Sequence, residues 1–144
     1  MAAGDITYSN PGAQSGDKAF ASGLVSADAD TAINVLVGFV PSMVQLVYKD
    51  TAATTYDREV RWFKGMPVGY MVESYMDDGA AVLQTSGGPT VYGDTTDDAP
   101  NSPTGHGTGY APAGTHEETS GTGFTIPAAF MQTDEDVIYW VAWR

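Results

Sequence analysis

The sequence predicts an all-β fold, an antiparallel β-sandwich of jelly-roll-like form in a single domain, and three observations predict it. Apolar residues recur at every second position in several short runs, the pattern of a half-buried strand. Seventeen glycines and eight prolines, with Thr, Ser and Asp abundant, favour many short strands joined by turns. No window of about 11 to 18 residues carries apolar side chains at helical spacing. At 144 residues the chain has the length of one domain. Residues 1–30 read as an extended N-terminal arm or edge, and residues 31–144 as the sandwich, interrupted by a long Gly/Pro-rich loop over 93–122.

The arm is small and polar, with Asn10, Pro11, Gly12, Gln14, Ser15, Gly16 and Asp17 close together. Its sizeable apolar anchors are Ile6, Tyr8 and Phe20. Phe20 to Val25 predicts a short first strand, with Phe20, Ser22 and Leu24 on one face. Ile33, Val35, Val37 and Phe39 then alternate with Asn34, Leu36, Gly38 and Val40. Both faces of that run are apolar near Leu36, which predicts a central strand. Pro41 cannot donate a ladder hydrogen bond and so marks a bend between this strand and the next, Met43 to Lys49. Asp50 to Asp57 reads as a loop. Arg58 to Lys64 is a strand with Val60 and Trp62 facing inward and Glu59 and Arg61 outward.

Gly65, Met66 and Pro67 make a turn, and Val68 to Met76 alternates Tyr70, Val72 and Ser74 against Met71, Glu73 and Tyr75. Asp77, Asp78 and Gly79 supply turn chemistry, so Ala80 to Thr85 closes a hairpin. Thr90 to Tyr92 is a further short strand. From Gly93 to Gly121 the only large apolar side chain is Tyr110, and no packed core can be built from such a stretch. Order returns at Gly123 to Pro127, followed by an Ala128 to Met131 turn. In the last run, Val137 to Arg144, Ile138, Trp140 and Ala142 alternate with Tyr139, Val141 and Trp143, which predicts a strand in the middle of a sheet.

Charge and cysteine usage narrow the function classes. Six basic against 18 acidic residues give a net charge of −12, yet only 17% of residues are charged. The acidity therefore reflects scarce Lys and Arg rather than dense carboxylate blocks. Such a field repels phosphate backbones and anionic headgroups, so neither nucleic acid nor membrane is an expected partner. Cysteine is absent, which removes disulfides, thiolate zinc sites and cysteine nucleophiles together. Residues 1–10 lack the basic and apolar regions of a signal peptide, and no apolar run approaches the roughly 20 residues of a membrane helix. The chain is expected to be soluble and unprocessed.

Residues with catalytic or ligating chemistry are present but unpatterned. His106 and His116 lie in the Gly/Pro-rich loop beside Glu117 and Glu118, where no rigid scaffold holds a metal ligand set. The acidic clusters Asp77–Asp78, Asp97–Asp98 and Asp134–Glu135–Asp136 lack the spacing of a calcium loop and read as solvated turns; Asp134 and Asp136 are the first choice if calcium binds. No nucleophile elbow, phosphate loop, zinc-protease helix or dinucleotide fingerprint occurs. The strand aromatics Trp62, Phe63, Tyr70, Tyr75, Tyr139, Trp140 and Trp143 read as core or interface residues ahead of a carbohydrate platform. No catalytic, cofactor or metal residue is assigned, and no enzymatic activity is expected.

Three segments carry a resemblance: Gly38-Phe39-Val40-Pro41-Ser42-Met43-Val44, then Trp62-Phe63-Lys64-Gly65-Met66, and Gly123-Phe124-Thr125-Ile126 with the closing Tyr139-Trp140-Val141-Ala142-Trp143-Arg144. Together they resemble small structural proteins of tailed bacteriophage virions, over about Ile33 to Met66 and Gly123 to Arg144. The resemblance implies a capsid decoration (cement) protein that binds the outer shell and bridges capsomers, or a tail or fibre component. A lectin-like module is the alternative from outside that group. The implied partner is the major capsid protein lattice, the implied state a homo-oligomer, dimer or trimer, and the implied location the capsid surface after assembly in the host cytoplasm. Tyr8 and Phe20 are the candidate partner-binding residues of the arm, and Tyr110 that of the loop.

Overall fold

The computed structural model describes residues 3–4, 6–8, 20–49, 57–67, 69–75, 79–92 and 123–144. They form ten strands and one short 3-10 turn: β1 (Ile6–Tyr8), β2 (Phe20–Ser26), β3 (Ile33–Leu36), β4 (Met43–Lys49), β5 (Arg58–Phe63), β6 (Met71–Tyr75), β7 (Ala81–Gln84), β8 (Thr90–Tyr92), β9 (Gly123–Ile126), the turn at Ala128–Phe130, and β10 (Val137–Trp143). Two antiparallel sheets pack as a β-sandwich. The larger has seven strands in the order β1-β2-β10-β4-β5-β6-β7, the smaller three in the order β3-β9-β8.

Alternation decides which side chains meet between the sheets. Val44, Leu46 and Tyr48 of β4, Val60 and Trp62 of β5, and Ile138, Trp140 and Ala142 of β10 point inward and are buried. Ile33 and Val35 of β3, Val91 of β8, and Phe124 and Ile126 of β9 complete the core from the other sheet. Trp140 and Phe124 meet edge to face across the layers, with ring centroids 5.6 Å apart. Pairs of this geometry contribute about 0.5–1.5 kcal/mol beyond the area they bury. Gly123 is required at its position in β9, because a Cβ there would run into the backbone of Val35 and Leu36.

The last strand sits inside the large sheet, flanked by β2 and β4, as its apolar faces predict. The run from Ile33 does not occupy the expected central place. It ends at Leu36, and β3 is the terminal strand of the three-stranded sheet. All four of its residues are nevertheless buried. Apolarity on both faces reports cover on both faces, and a covered edge strand satisfies it as well as a central one does. After Leu36 the chain turns at Gly38, whose φ of 79° suits a residue without Cβ. It then passes Pro41 and crosses from the small sheet into the large one. The first thirty residues include two strands: β1 forms an edge of the large sheet, and β2 lies between β1 and β10. Tyr110 and the rest of the 93–122 segment lie outside the described residues.

Candidate interaction face

The two sides of the seven-stranded sheet have different fates. Residues alternating with the buried set point away from the small sheet, and the antiparallel registers place them in rows. Phe20 pairs with Trp143, Trp143 with Met43, and Met43 with Phe63, so four large apolar side chains lie side by side across β2, β10, β4 and β5. Phe20 is 49% and Phe63 40% exposed, while Trp143 and Met43 between them are half-buried. Further along, Leu24 pairs with Tyr139 and Tyr139 with Val47. Tyr139 is again exposed, and Leu24 and Val47 half-buried. Between these rows Gln45 and Arg61 both bond the Glu59 carboxylate, at 2.8 Å each. The Arg61–Glu59 ion pair is solvent-facing and adds little stability, but it neutralises the only charges in the middle of the described patch.

A single exposed apolar residue on a surface is ordinary. A row of four, with Leu24, Tyr139 and Val47 in a second row beyond Gln45 and Arg61, is an arrangement of the kind that marks interaction surfaces. Phe20 therefore belongs to this face. Tyr8 lies in β1 opposite Gly23, and nothing of its side chain is described.

The inward side of the same sheet ends in a buried polar cluster, which the sequence reading did not single out. Arg58 Nη1 bonds Glu73 Oε2 at 3.0 Å, and Arg58 Nη2 donates to the Phe130 carbonyl. The guanidinium also lies over the Phe130 ring, 4.2 Å from its centroid, and 5.4 Å from that of Tyr48. Gln84 Nε2 donates to the second Glu73 oxygen at 3.1 Å. Tyr48 donates its hydroxyl to Asp136 Oδ2 at 2.6 Å and accepts from the Gln132 and Thr133 amides. Burial, then the Asp136 hydrogen bond, pushes the Tyr48 hydroxyl up to about 12. The neighbouring Glu73 charge, with burial second, likewise raises the exposed Tyr75 above its ordinary value. Arg58, Glu73, Tyr48 and Asp136 are all at most 5% exposed. Arg58 with Glu73 and Tyr48 with Asp136 form two pairs, joined by the Arg58 contact with the Tyr48 ring, and they pin the 130–136 segment to the sheet. A signal existed in the sequence: Arg58 shares a strand face with Val60 and Trp62, so its charge falls in phase with the core.

The acidic turn is likewise occupied by protein donors. Asp134 Oδ1 accepts from the Ala29 amide at 2.8 Å, and Asp136 is held by Tyr48. Asp28 caps the amides of Asp30 and Thr31, at 2.9 Å each. Among the described residues no group of three or more His, Asp or Glu side chains is placed to hold a metal. His106, His116, Asp77, Asp78, Asp97, Asp98, Glu117 and Glu118 lie outside those residues.

Fold and face together define a β-sandwich in which, among the described residues, one face of the large sheet is covered by the small sheet and the other carries an uncovered, partly exposed apolar row. Comparison with family models, curated proteins and solved structures gives no match.

Proposed function

We propose that this chain is a structural, assembly-dependent protein that docks through the outer face of its seven-stranded sheet. We further propose that the assembly is a virion shell, which the chain decorates and cements by bridging capsomers. The observation that carries the docking role is the apolar row Phe20–Trp143–Met43–Phe63, exposed at both ends and half-buried between. The virion itself is suggested by the sequence motifs around Gly38–Val44, Trp62–Met66 and the C-terminal strand. The net charge of −12 suits both parts. It keeps a protein with such a face dispersed before assembly, and it favours the outside of a particle over a lumen filled with nucleic acid. Repeated weak contacts across a lattice then sum to durable attachment.

The test is purification of the parent particle. Many copies on the shell, released by mild denaturant while the shell persists, support decoration. A few copies at the tail sink it in favour of a tail or fibre role. Replacing Phe63 and Trp143 by Ser is expected to abolish rebinding to stripped particles. The flat aromatic set Phe20, Tyr139 and Trp143 also fits a glycan-stacking platform, the lectin-like reading. That reading requires tryptophan fluorescence to respond to sugars.

A further inference from the structure

The large sheet has a second feature that docking through its face does not use. β7 is its terminal strand and has β6 on one side only among the described residues. Alternate residues of such a strand direct their backbone N–H and C=O groups away from the sheet, a template for one more strand. Natural edges are normally guarded by Lys, Pro, a bulge or a covering segment. β7 carries Ala81, Val82, Leu83 and Gln84, none of which guards it.

The other described edges differ. All of β3 is buried, as are Thr90 and Val91 of β8, and β1 has only three residues. In β7, Val82 is 49% and Leu83 57% exposed, the latter the most exposed large apolar residue described. Val82 pairs with the buried Glu73 and so lies on the inner side of the sheet. With Tyr75, it shows that the small sheet's cover stops short of this end.

We propose that β7 is a strand-addition site whose occupant is β7 of a second copy of this chain. Charge argues for that occupant. Residues 79–92 contain no ionisable acid or base other than Tyr92, in a chain of net charge −12. Two copies repel one another broadly, and this neutral segment is where their approach is least opposed. The nearest buried carboxylate, Glu73, is already neutralised by Arg58. A two-fold axis normal to the sheet pairs the strands antiparallel, inner face with inner face, and closes without leaving β7 open. The result is one sheet of fourteen strands in which the two apolar outer faces become continuous. The pairing does not depend on what that face binds.

Sedimentation of the full chain over a concentration series tests it. The expected result is a dimer that added salt strengthens by screening the repulsion between copies, with Val82→Lys and Leu83→Lys each weakening dimerisation by about tenfold or more. Ser22→Lys, on β2 five strands away from β7 and outside the apolar row, is expected to leave it intact. Circular dichroism distinguishes a lost interface from a lost fold. Because the chain has no cysteine, Val82→Cys or Leu83→Cys supplies an independent readout. The one nearer the axis faces its own copy and forms an intermolecular disulfide in air, whereas Ser22→Cys, on β2, does not. A monomer at every concentration, or a dimer unaffected by both β7 lysines, overturns the proposal. Chains longer than a dimer that depend on β7 overturn the two-fold arrangement.

Discussion

The inner and outer faces of the seven-stranded sheet are made by the same strands, residue by alternate residue, and both are rich in large apolar side chains. The inner face meets the small sheet and is closed over β10, β4 and β5: Trp140 is 1% exposed and packs on Phe124. The outer face, three residues further along the same strand, presents Trp143 in an open row with Phe20, Met43 and Phe63. Apolar content alone therefore does not make a core. What separates the two is whether the chain folds a second layer over the face, and here it does so only once among the described residues. The inner face accordingly governs stability, and the outer face is left without a second layer among the described residues.

The comparison breaks first at the core. Trp140→Ala removes the largest fully buried side chain of the described residues and the aromatic contact across the layers. It is expected to cost about 3–5 kcal/mol in urea unfolding. A cost below about 1 kcal/mol would mean that the two sheets are not held together at this point.

Arg58→Ala tests the polar end of the same face. It strands the Glu73 carboxylate in a site only 2% exposed. The expected loss is about 3–5 kcal/mol, since an uncompensated buried charge is far costlier than a missing pair. Arg58→Met combined with Glu73→Leu is expected to recover most of that loss, because the pair's desolvation disappears with it. Failure of the double variant to recover would show that the Phe130 carbonyl and Gln84 contacts, not the ion pair, fix this end.

How far the two faces were legible in the sequence follows from where their information lies. Alternation within a strand is local, so the sequence alone puts Val44, Leu46 and Tyr48, Val60 and Trp62, and Ile138, Trp140 and Ala142 each on one side of their strand. Neighbour relations are not local. The outer row joins Phe20 to Trp143 from opposite ends of the chain, and no spacing in the sequence announces that β2, β10 and β4 lie side by side. β1 was missed because three residues in a polar segment show no period. Arg58 was missed because a charge in a strand is ordinarily read as solvent-facing, although its phase with Val60 and Trp62 said otherwise.

A smaller effect is expected at Tyr48. Tyr48→Phe leaves Asp136 Oδ2 without its 2.6 Å donor in a buried site, at a cost of about 1–3 kcal/mol. It also carries a pH signature. The hydroxyl is pushed from near 10 to about 12 in the folded chain, so the fold holds this proton more tightly than the unfolded chain does. Its stabilising contribution is complete below pH 10 and is lost as pH rises through about 12. The stability difference between the native chain and Tyr48→Phe should therefore shrink over that window. A difference that stays constant from pH 9 to 12 would show that burial and the Asp136 hydrogen bond do not together select the protonated phenol.

The smallest expected effect bears most directly on the contrast between the faces. If the outer row is open in the isolated chain, Phe63→Ser changes stability by no more than about 0.5 kcal/mol, because little burial is lost with it. The same substitution reduces binding of an apolar dye, which reads exposed hydrophobic surface. The two measurements must move independently, dye binding falling while the unfolding midpoint holds. A stability loss above about 1.5 kcal/mol would mean that the face is already covered within one molecule and that the contrast with the core is one of degree. Unchanged dye binding would mean that the row is too interrupted by Gln45, Glu59 and Arg61 to act as one surface. Only an open, continuous row leaves the large sheet with a second apolar face that a partner can bury.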